Sequence, residues 1–362
     1  MEGRPDAQAL REPLERWLVP RLPGAEDVRV GECTRPKGGW SAETLIVAVR
    51  LRRGGRELEE RYVLRREVPE PSVYPAQAPG LDVEVLIQWR TMQALARAGG
   101  IPLAPQIGYE GDASLLGAPF FVMGFVAGQV PIEHPIYTRE GFFVEATPGE
   151  RRQMLEDGLR VLARIHAVDW RAADLGWLVP PGGTPGTAAQ LELWEAFARR
   201  ELAGREHPVF EAGLAWLRRR VPKDERLGVS WGDARPGNMI WSGFRCACVT
   251  DFENVAIGPP ELDLGWWLMF DRWSHESFGA PRLPGEPTRD EQRAFYARCA
   301  GREPGDTRWY EIFAALRYTA IVVRVMNRSV ARGEMPPDQR IWIENPAATC
   351  LADLLAEARG AG

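Results

Sequence analysis

The amino-acid sequence predicts an α+β protein in two lobes: a small N-terminal lobe around an antiparallel sheet and a larger, mainly helical C-terminal lobe. The chain has 362 residues, which is too long for one ordinary compact core and suits two lobes. Its first third contains several strand-like runs, whereas helical periodicity dominates from about residue 149 onward. We place the boundary between residues 1–124 and 125–362, where an apolar run enters a glycine-bearing turn.

The predicted N-terminal lobe combines two helices with a strand hairpin. Residues 7–19 have the spacing of an amphipathic helix, and residues 81–99 show helical periodicity that ends at a glycine pair. Residues 44–51 are apolar and β-branched, and residues 61–66 read as the returning strand. The turn at residues 53–55 contains two glycines and joins these strands.

The predicted C-terminal lobe is helical apart from one short β region. Its helical stretches are residues 149–170, 187–204, 207–222, 309–331 and 346–358. Two short β segments, residues 226–241 and 245–253, lie between the third and fourth of these helices. We expect a hairpin from Met239 to Val249, which would place the loop before it next to the residues that follow it.

Composition excludes several classes of protein. The net charge of −5 and the pI near 5.7 show no basic excess, so we expect no nucleic-acid partner. No apolar run approaches the roughly 20 residues that span a bilayer, so we expect no membrane insertion. The N-terminus is charged and lacks the apolar stretch of a signal peptide, so we expect a cytoplasmic protein. The sequence leaves the oligomeric state unknown.

Cysteine and lysine usage narrows the possible chemistry. The five cysteines are odd in number and scattered, and we interpret Cys246 and Cys248 as apolar strand residues, not metal ligands. Lysine occurs only at positions 37 and 223. Any role that usually needs a lysine therefore falls to arginine or to one of these two residues.

The chemically informative residues surround the predicted hairpin. The sequence WGDARPGN occupies residues 231–238, and Asp251 opens an Asp-Phe-Glu triplet 13 residues later. Phosphoryl transfer requires a carboxylate to orient a hydroxyl, oxygen ligands for Mg²⁺ and positive charge on the phosphates. Asp233 can act as the base, while Asn238 and Asp251 supply a neutral and an anionic oxygen ligand. Each of these residues alone would often be structural, but their combination favours phosphoryl transfer.

At these residues the sequence resembles the aminoglycoside phosphotransferase/choline kinase-like superfamily, and it looks closest to the branch related to acyl-CoA-dehydrogenase-associated kinase domains. The resemblance covers about residues 30–340 and includes GGWSAETL, YVLRRE, LARIHAVD, WGDARPGN and DFENVAIGPPELDLGWW. It implies a protein-kinase-like fold, with residues 1–124 as the nucleotide-binding lobe and residues 125–362 as the catalytic and acceptor-binding lobe. It also implies ATP or GTP, Mg²⁺ and a small-molecule hydroxyl acceptor.

The resemblance assigns roles by position. Asp233 matches the catalytic aspartate of the family, and Asn238 and Asp251 match its metal ligands. Arg235 lies two residues after the catalytic position and is expected to contact the γ-phosphate, with a surface loop arginine as the alternative. Asp263 matches an aspartate that braces the catalytic loop.

The resemblance also implies a nucleotide site in the N-terminal lobe. Arg65 lies where related kinases place a phosphate-binding lysine on the third strand, and Arg66 is the alternative if the register differs by one. The expected phosphate-covering turn comprises Gly38, Gly39 and Ser41, with Lys37 as a further contact. Met123 and Phe125 belong to the segment between lobes whose backbone would bond adenine.

Three positions depart from the family pattern. Trp231 replaces the usual histidine two residues before the catalytic aspartate; it can pack beneath the loop but cannot make the bonds of a histidine. The helix glutamate that pairs with the strand cation is replaced by Gln88, although Glu84 lies one turn earlier on the same helix face. Glu253 occupies the third position of the triplet, where it can add a metal or loop contact.

The sequence does not decide which acceptor the protein uses or whether it catalyses turnover. An aminoglycoside kinase needs an acidic cleft, whereas residues 126–362 are only mildly acidic and contain 11 of the 14 tryptophans. Most of these are expected in the core, but tryptophans in the cleft would favour a less cationic acceptor, such as a hydroxyacyl compound. The alternative hypothesis is a pseudokinase that binds a nucleotide or a partner with little turnover.

Overall fold

A five-stranded antiparallel sheet forms the N-terminal lobe of the computed structural model, which describes residues 9–36, 42–70, 72–223 and 226–360. Its strands are β1 (Ala25–Thr34), β2 (Glu43–Arg53), β3 (Arg56–Arg66), β4 (Gln106–Glu110) and β5 (Phe120–Gly124), in the order β1-β2-β3-β5-β4. The α-helices of this lobe are α1 (Arg11–Leu18), α2 (Glu84–Ala98) and α3 (Ala113–Leu116). The sheet lobe and the helical lobe confirm the predicted fold class.

The C-terminal lobe is built from helices around one apolar core. The helices are α4 (Phe142–Glu145), α5 (Pro148–His166), α6 (Thr187–Leu202), α7 (Pro208–Arg218), α8 (Glu261–His275), α9 (Arg289–Ala300), α10 (Thr307–Ala331) and α11 (Pro346–Gly360). Two small antiparallel sheets pair β6 (Gly228–Ser230) with β9 (Ala256–Gly258) and β7 (Met239–Ser242) with β8 (Arg245–Val249). Within the described ranges, no helix combines the length and apolarity needed to cross a membrane.

The alternation of side chains along the strands divides the apolar residues between two cores. Phe120 and Val122 face a core closed by α1, whereas Phe121 and Met123 face the core that continues into the helical lobe. Successive strand residues point to opposite faces of a sheet, so the single strand β5 contributes to both cores. The sheet is therefore packed on both faces, and β5 leads directly into the C-terminal lobe.

The structure confirms the predicted hairpins. Arg53 pairs with Arg56, and the two glycines between them have positive φ angles of 58° and 77°, as a two-residue hairpin turn requires. Met239 pairs with Val249 in the second hairpin. The predicted helix at residues 7–19 is observed as α1 from Arg11, and residues 1–8 lie outside the described part of the chain. The short helices α3 and α4 were not predicted.

Helices α8 and α10 cross closely at a glycine. A Cβ atom added to Gly265 would lie 2.5 Å from the Cβ atom and 2.6 Å from the carbonyl carbon of Tyr310. Real Cβ atoms do not approach other carbon atoms this closely, so the two helices pack at this distance only because position 265 has no side chain. This crossing matters for the site because α8 and α10 both border the 231–238 loop.

We predict that Gly265→Ala destabilises the protein by about 2 kcal/mol, because overpacking outweighs the gain of about 1 kcal/mol in helix propensity. The measurement is the free energy of unfolding in urea. Gly149→Ala in α5 is the matched control, since an added Cβ meets no atom within 4 Å there. Equal stability of Gly265→Ala and the wild type would contradict the close helix crossing.

Candidate active site

The 231–238 loop connects β6 to β7 and turns sharply at Gly232. Gly232 has a φ angle of +94°, and a Cβ atom at this position would lie 1.9 Å from the backbone oxygen of Asn254. The side-chain amide of Asn254 donates a 3.1 Å hydrogen bond back to the carbonyl of Gly232. The loop can therefore lie against the residues that follow Asp251 only with glycine at position 232.

Asp263, in the first turn of α8, braces this loop. Its fully buried carboxylate accepts hydrogen bonds from the Ser230 hydroxyl at 2.8 Å, the Trp231 N–H at 2.6 Å and the Gly232 N–H at 2.8 Å. His166 of α5 lies 3.0 Å away through Nε2. The geometry agrees with the bracing role that the resemblance implies, because four groups fix one carboxylate and the carboxylate fixes the loop.

The carboxylate of Asp233 is buried at the centre of the loop and is surrounded by donors. Asn238 donates from Nδ2 at 2.7 Å, the Trp266 indole N–H at 2.7 Å, the Tyr74 hydroxyl at 3.1 Å and Arg235 from Nε at 3.2 Å. These contacts fix the orientation of the carboxylate. One of the four donors, the Tyr74 hydroxyl, is the kind of group that an alcohol acceptor would also present.

The β7–β8 hairpin brings Asn238 and Asp251 to one place, as predicted. The Thr250 N–H donates to the Asn238 carbonyl at 3.0 Å, which closes the base of the hairpin beside Asp251. Both amide hydrogen bonds of Asn238 go to Asp233, and its Oδ1 accepts none from the described residues. Asp251 has a left-handed φ of 55° and a partly exposed carboxylate. An amide oxygen and a carboxylate beside each other fit the hard-oxygen preference of Mg²⁺.

Arg65 reaches this pair of residues from β3. Its Nη1 donates to Asp251 Oδ1 at 2.5 Å, whereas Arg66 points to the opposite face of the sheet, where it bonds Glu43 and the Leu116 carbonyl. The structure therefore places Arg65, not Arg66, at the site. Burial alone would lower the pKa of Arg65, but nearby carboxylates, led by Asp251, outweigh it and raise the pKa.

Two further carboxylates accompany Arg65. Glu84 of α2 acts on Arg65 electrostatically, and Gln88 donates to Glu84 at 3.4 Å instead of replacing it. Burial and the neighbouring Glu84 raise the pKa of Glu253 well above its ordinary value, so this carboxyl holds its proton more tightly than an exposed one. Glu84, and not Gln88, is thus the helix residue whose charge acts on Arg65.

Arg235 lies between Asp233 and an exposed acidic residue. Its Nε bonds Asp233, and its Nη1 lies 2.5 Å from Glu133 Oε1 in the segment after β5. Burial opposes the charge, but Asp233 and Glu133 raise the pKa of Arg235 well above its ordinary value. A positive charge therefore lies next to the Asp233 carboxylate, and the predicted contact of Arg235 with the γ-phosphate stays a prediction.

The remaining nucleotide-site predictions divide into two groups. Gly38, Gly39 and Ser41, with Lys37, lie outside the described residues. Met123 is the residue before the last of β5 and its side chain lies in the core, and the Phe125 N–H donates to the Arg61 carbonyl at 3.0 Å. An adenine ring at this segment would therefore have to bond main-chain atoms other than the Phe125 N–H.

Trp231 packs beneath the loop, as predicted, and it also makes hydrogen bonds. Its buried indole N–H donates to the Thr250 carbonyl at 2.9 Å and to the Asp251 carbonyl at 3.1 Å. Tryptophan at this position thus links the loop to the backbone of Asp251, which the comparison with histidine did not anticipate.

Three contacts of the loop were not predicted from the sequence. Tyr74 lies in a proline-rich stretch without periodicity, and Trp266 looked like one of several core tryptophans. Arg317 of α10 donates to the Gly232 carbonyl at 2.8 Å and lies 4.4 Å from the centre of the Trp266 ring. Burial lowers the pKa of Arg317 to about 10. No sequence pattern indicated that Arg317 would contact the loop, because its place on the buried face of α10 depends on the fold.

Solved structures share this two-lobed fold. A Ralstonia eutropha protein described as a candidate aminoglycoside phosphotransferase is 24% identical, with a TM-score of 0.69 and coverage of 96% of this chain and 98% of that chain. An aminoglycoside phosphotransferase mutant in a ternary complex with ADP and hygromycin B is 15% identical, with a TM-score of 0.55 and coverage of 96% and 99%. At these identities the likeness confirms the protein-kinase-like fold.

Relatives by sequence confirm the predicted branch. Chicken acyl-CoA dehydrogenase family member 11 is 28% identical over 305 residues, which are 80% of this chain and 35% of the relative. Mouse acyl-CoA dehydrogenase family member 10 is 26% identical over 284 residues, which are 75% of this chain and 25% of the relative. The chain thus spans about a quarter to a third of these relatives. Residues 32–297 match the phosphotransferase enzyme family, and because this is most of the chain, the protein belongs to that family.

Proposed function

We propose that this protein is a Mg²⁺-dependent kinase that transfers the γ-phosphoryl group of ATP or GTP to a hydroxyl of a small molecule. The observation that carries the proposal is the placement of Asp233, Asn238 and Asp251 around one point, with Asn238 bonded to Asp233 at 2.7 Å. Residues 1–124 would bind the nucleotide, and residues 125–362 would supply the catalytic groups and the acceptor site. The ADP complex of the structurally similar aminoglycoside phosphotransferase supports the use of a nucleotide.

In the proposed reaction, Asp233 orients the acceptor hydroxyl and accepts its proton. The acceptor oxygen forms a bond to the γ-phosphorus, the bond from that phosphorus to the bridging oxygen breaks, and the nucleoside diphosphate leaves. Asn238 and Asp251 would hold Mg²⁺, which supplies positive charge to the phosphates when bound. Arg235 lies beside Asp233 and provides a fixed charge for the migrating phosphoryl group.

Arg65 takes the place of a phosphate-binding lysine in this proposal. Its guanidinium bonds Asp251 in the structure, so it lies next to the proposed metal ligand and within reach of a phosphate held there. A guanidinium can clamp two phosphate oxygens through its planar fork, which an ammonium group cannot do. Glu84 would hold this guanidinium in place from α2.

The surroundings of Asp233 support an acceptor that is less cationic than an aminoglycoside. Trp266 contacts the carboxylate directly, and the rings of Phe270 and Tyr318 continue the aromatic wall, with centroids 4.8 Å apart. The sequence relatives carry acyl-CoA dehydrogenase names, and this chain matches only a part of each. We therefore propose a hydroxylated acyl compound, such as a hydroxyacyl thioester, as the acceptor.

The alternative is a pseudokinase, and one observation favours it. The Arg65–Asp251 ion pair occupies part of the proposed metal-binding carboxylate, and four donors already engage Asp233. If these contacts persist in solution, the site would bind a nucleotide without turnover. Turnover that disappears in Asp233→Asn would separate the kinase from this alternative.

Asp233→Asn is expected to reduce turnover by about a thousandfold, because the amide cannot accept the proton of the acceptor. The measurement is the loss of Mg·ATP and Mg·GTP against hydroxyacyl thioesters, aminoglycosides, macrolides, sugars and choline-like amines. The matched control is Asp353→Asn on the exposed face of α11, which should retain full activity. Nucleotide binding without turnover on every acceptor would favour the pseudokinase, and turnover that survives in Asp233→Asn would exclude Asp233 as the base.

Asp251→Asn is expected to raise the Mg²⁺ concentration required for nucleotide binding by about tenfold or more, because it removes the anionic ligand. Calorimetric titration of ATP at several Mg²⁺ concentrations measures this without turnover. Asp290→Asn in α9 is the control for the loss of one carboxylate. An unchanged Mg²⁺ dependence in Asp251→Asn would show that the metal, if any, binds elsewhere.

A further inference from the structure

The segment between β3 and α2 crosses from the sheet lobe to the helical lobe at the site. Its described residues, 68–70 and 72–83, form no helix or strand. Near its middle, Gln77 accepts a 2.7 Å hydrogen bond from Gln190 of α6. We call residues 68–83 the crossing segment. Two further contacts with the C-terminal lobe concern the site: one with the Asp233 carboxylate and one with a row of arginines on and directly after α10.

The first contact places a hydroxyl on Asp233. The Tyr74 hydroxyl donates to Asp233 Oδ2 at 3.1 Å, and the Tyr74 ring lies edge-on to Trp194. Burial, followed by the charge of Asp233, raises the pKa of Tyr74 well above its ordinary value, so the phenol keeps its proton and remains a donor. The proposed base is thus already bonded to a hydroxyl supplied by the protein itself.

The second contact places a carboxylate on the arginine row of α10. Arg324 and Arg328 of α10 and Arg332, which follows its last residue with helical backbone angles, are four residues apart and therefore lie on one face at steps of about 6 Å. Glu70 of the crossing segment lies 3.0 Å from Arg332 and 3.8 Å from Arg328, and Arg324 donates to the Ser72 carbonyl at 3.3 Å. The crossing segment therefore covers the whole row.

The arginine row contains a buried guanidinium group with an unused hydrogen-bond donor. Glu70, Glu201 and Glu334 form ion pairs with the three arginines, and Glu201 is shared with Arg200. Arg328 is 8% exposed, and its Nη2 makes no hydrogen bond with the described residues. Burial and then the adjacent Arg332 and Arg324 lower the pKa of Arg328. Such a row is suited to bind an additional anion.

We propose that the arginine row is an anion-binding part of the acceptor site and that the crossing segment occupies this site until the acceptor replaces it. The Tyr74 hydroxyl stands in for the acceptor hydroxyl, and the Glu70 carboxylate stands in for an anionic group of the acceptor. The acceptor is then a hydroxyl compound that also carries a carboxylate or phosphate. The part of this inference that concerns the reaction rests on the proposed kinase function.

The exchange conserves the chemistry at both places. A hydroxyl replaces a hydroxyl on Asp233 and an anion replaces a carboxylate on the arginines, so no buried charge loses its partner. The crossing segment competes with the acceptor, so the apparent affinity equals the intrinsic affinity multiplied by the fraction of molecules in which the segment is displaced. Weakening either contact should therefore strengthen acceptor binding.

The anion site is tested by calorimetric titration in the absence of nucleotide. The probes are ω-hydroxycarboxylates of increasing chain length and the corresponding neutral amides. We expect at least one carboxylate to bind about tenfold or more tightly than its amide. Arg328→Met should remove this preference. Tyr74→Phe and Glu70→Gln should each strengthen carboxylate binding by about three- to tenfold. Tyr109→Phe and Glu344→Gln are matched controls outside the site and should leave the affinity unchanged.

Three results would overturn the inference: no binding of any carboxylate, equal affinity for carboxylates and amides, or weaker binding in Tyr74→Phe. A purely structural Tyr74 would give the last of these, because its loss would loosen the site. With an acceptor that turns over, Tyr74→Phe should lower KM by a larger factor than it changes kcat. Binding that follows the expected pattern without nucleotide turnover would refute the kinase and retain the anion site. Turnover of neutral alcohols alone, without the carboxylate preference, would retain the kinase and refute the anion site.

Discussion

The buried carboxylate of Asp263 is the contact on which the geometry of the site depends. It accepts hydrogen bonds from three successive residues, 230–232, and contacts His166, so β6, the 231–238 loop, α5 and α8 converge on one charge. A buried carboxylate without hydrogen-bond donors would cost free energy of folding. The groups that bond Asp263 are therefore held in place. Asp233 follows directly after this fixed stretch. Its position is consequently set by the fold and not by the flexibility of a surface loop.

Arginine performs the electrostatic roles of this site, in keeping with a chain that has only two lysines. Arg65 connects the sheet lobe to Asp251 of the helical lobe, and Arg235 connects Asp233 to Glu133. A guanidinium keeps its charge when buried and bonds in two directions. The site is therefore a network in which acidic residues share a few cations, and the ion pair between Arg65 and Asp251 links the two lobes.

In the proposed function residues 1–124 bind the nucleotide, yet one segment of this lobe also contacts the proposed acceptor site. The crossing segment leaves β3, covers the arginine row of α10 and presents Tyr74 to Asp233. Its contacts with Asp233 and with the arginines are polar, whereas its Val73 and Ala78 side chains are buried. The structure thus combines the close crossing of α8 and α10 at Gly265 with a segment that brings polar groups of the N-terminal lobe to the 231–238 loop.

The sequence alone determined the fold class, the two hairpins and the group of Asp233, Asn238 and Asp251, because periodicity, turn residues and motif spacing are local properties of the chain. The resemblance to the kinase superfamily also indicated Asp263 and Arg65, although only the sheet register showed that Arg65 and not Arg66 faces the site. The tertiary structure decided the partners that come from distant parts of the chain, such as Tyr74, Trp266 and Arg317. Tyr74 and Asp233 are 159 positions apart, and no local pattern encodes a contact that arises only when two lobes pack together.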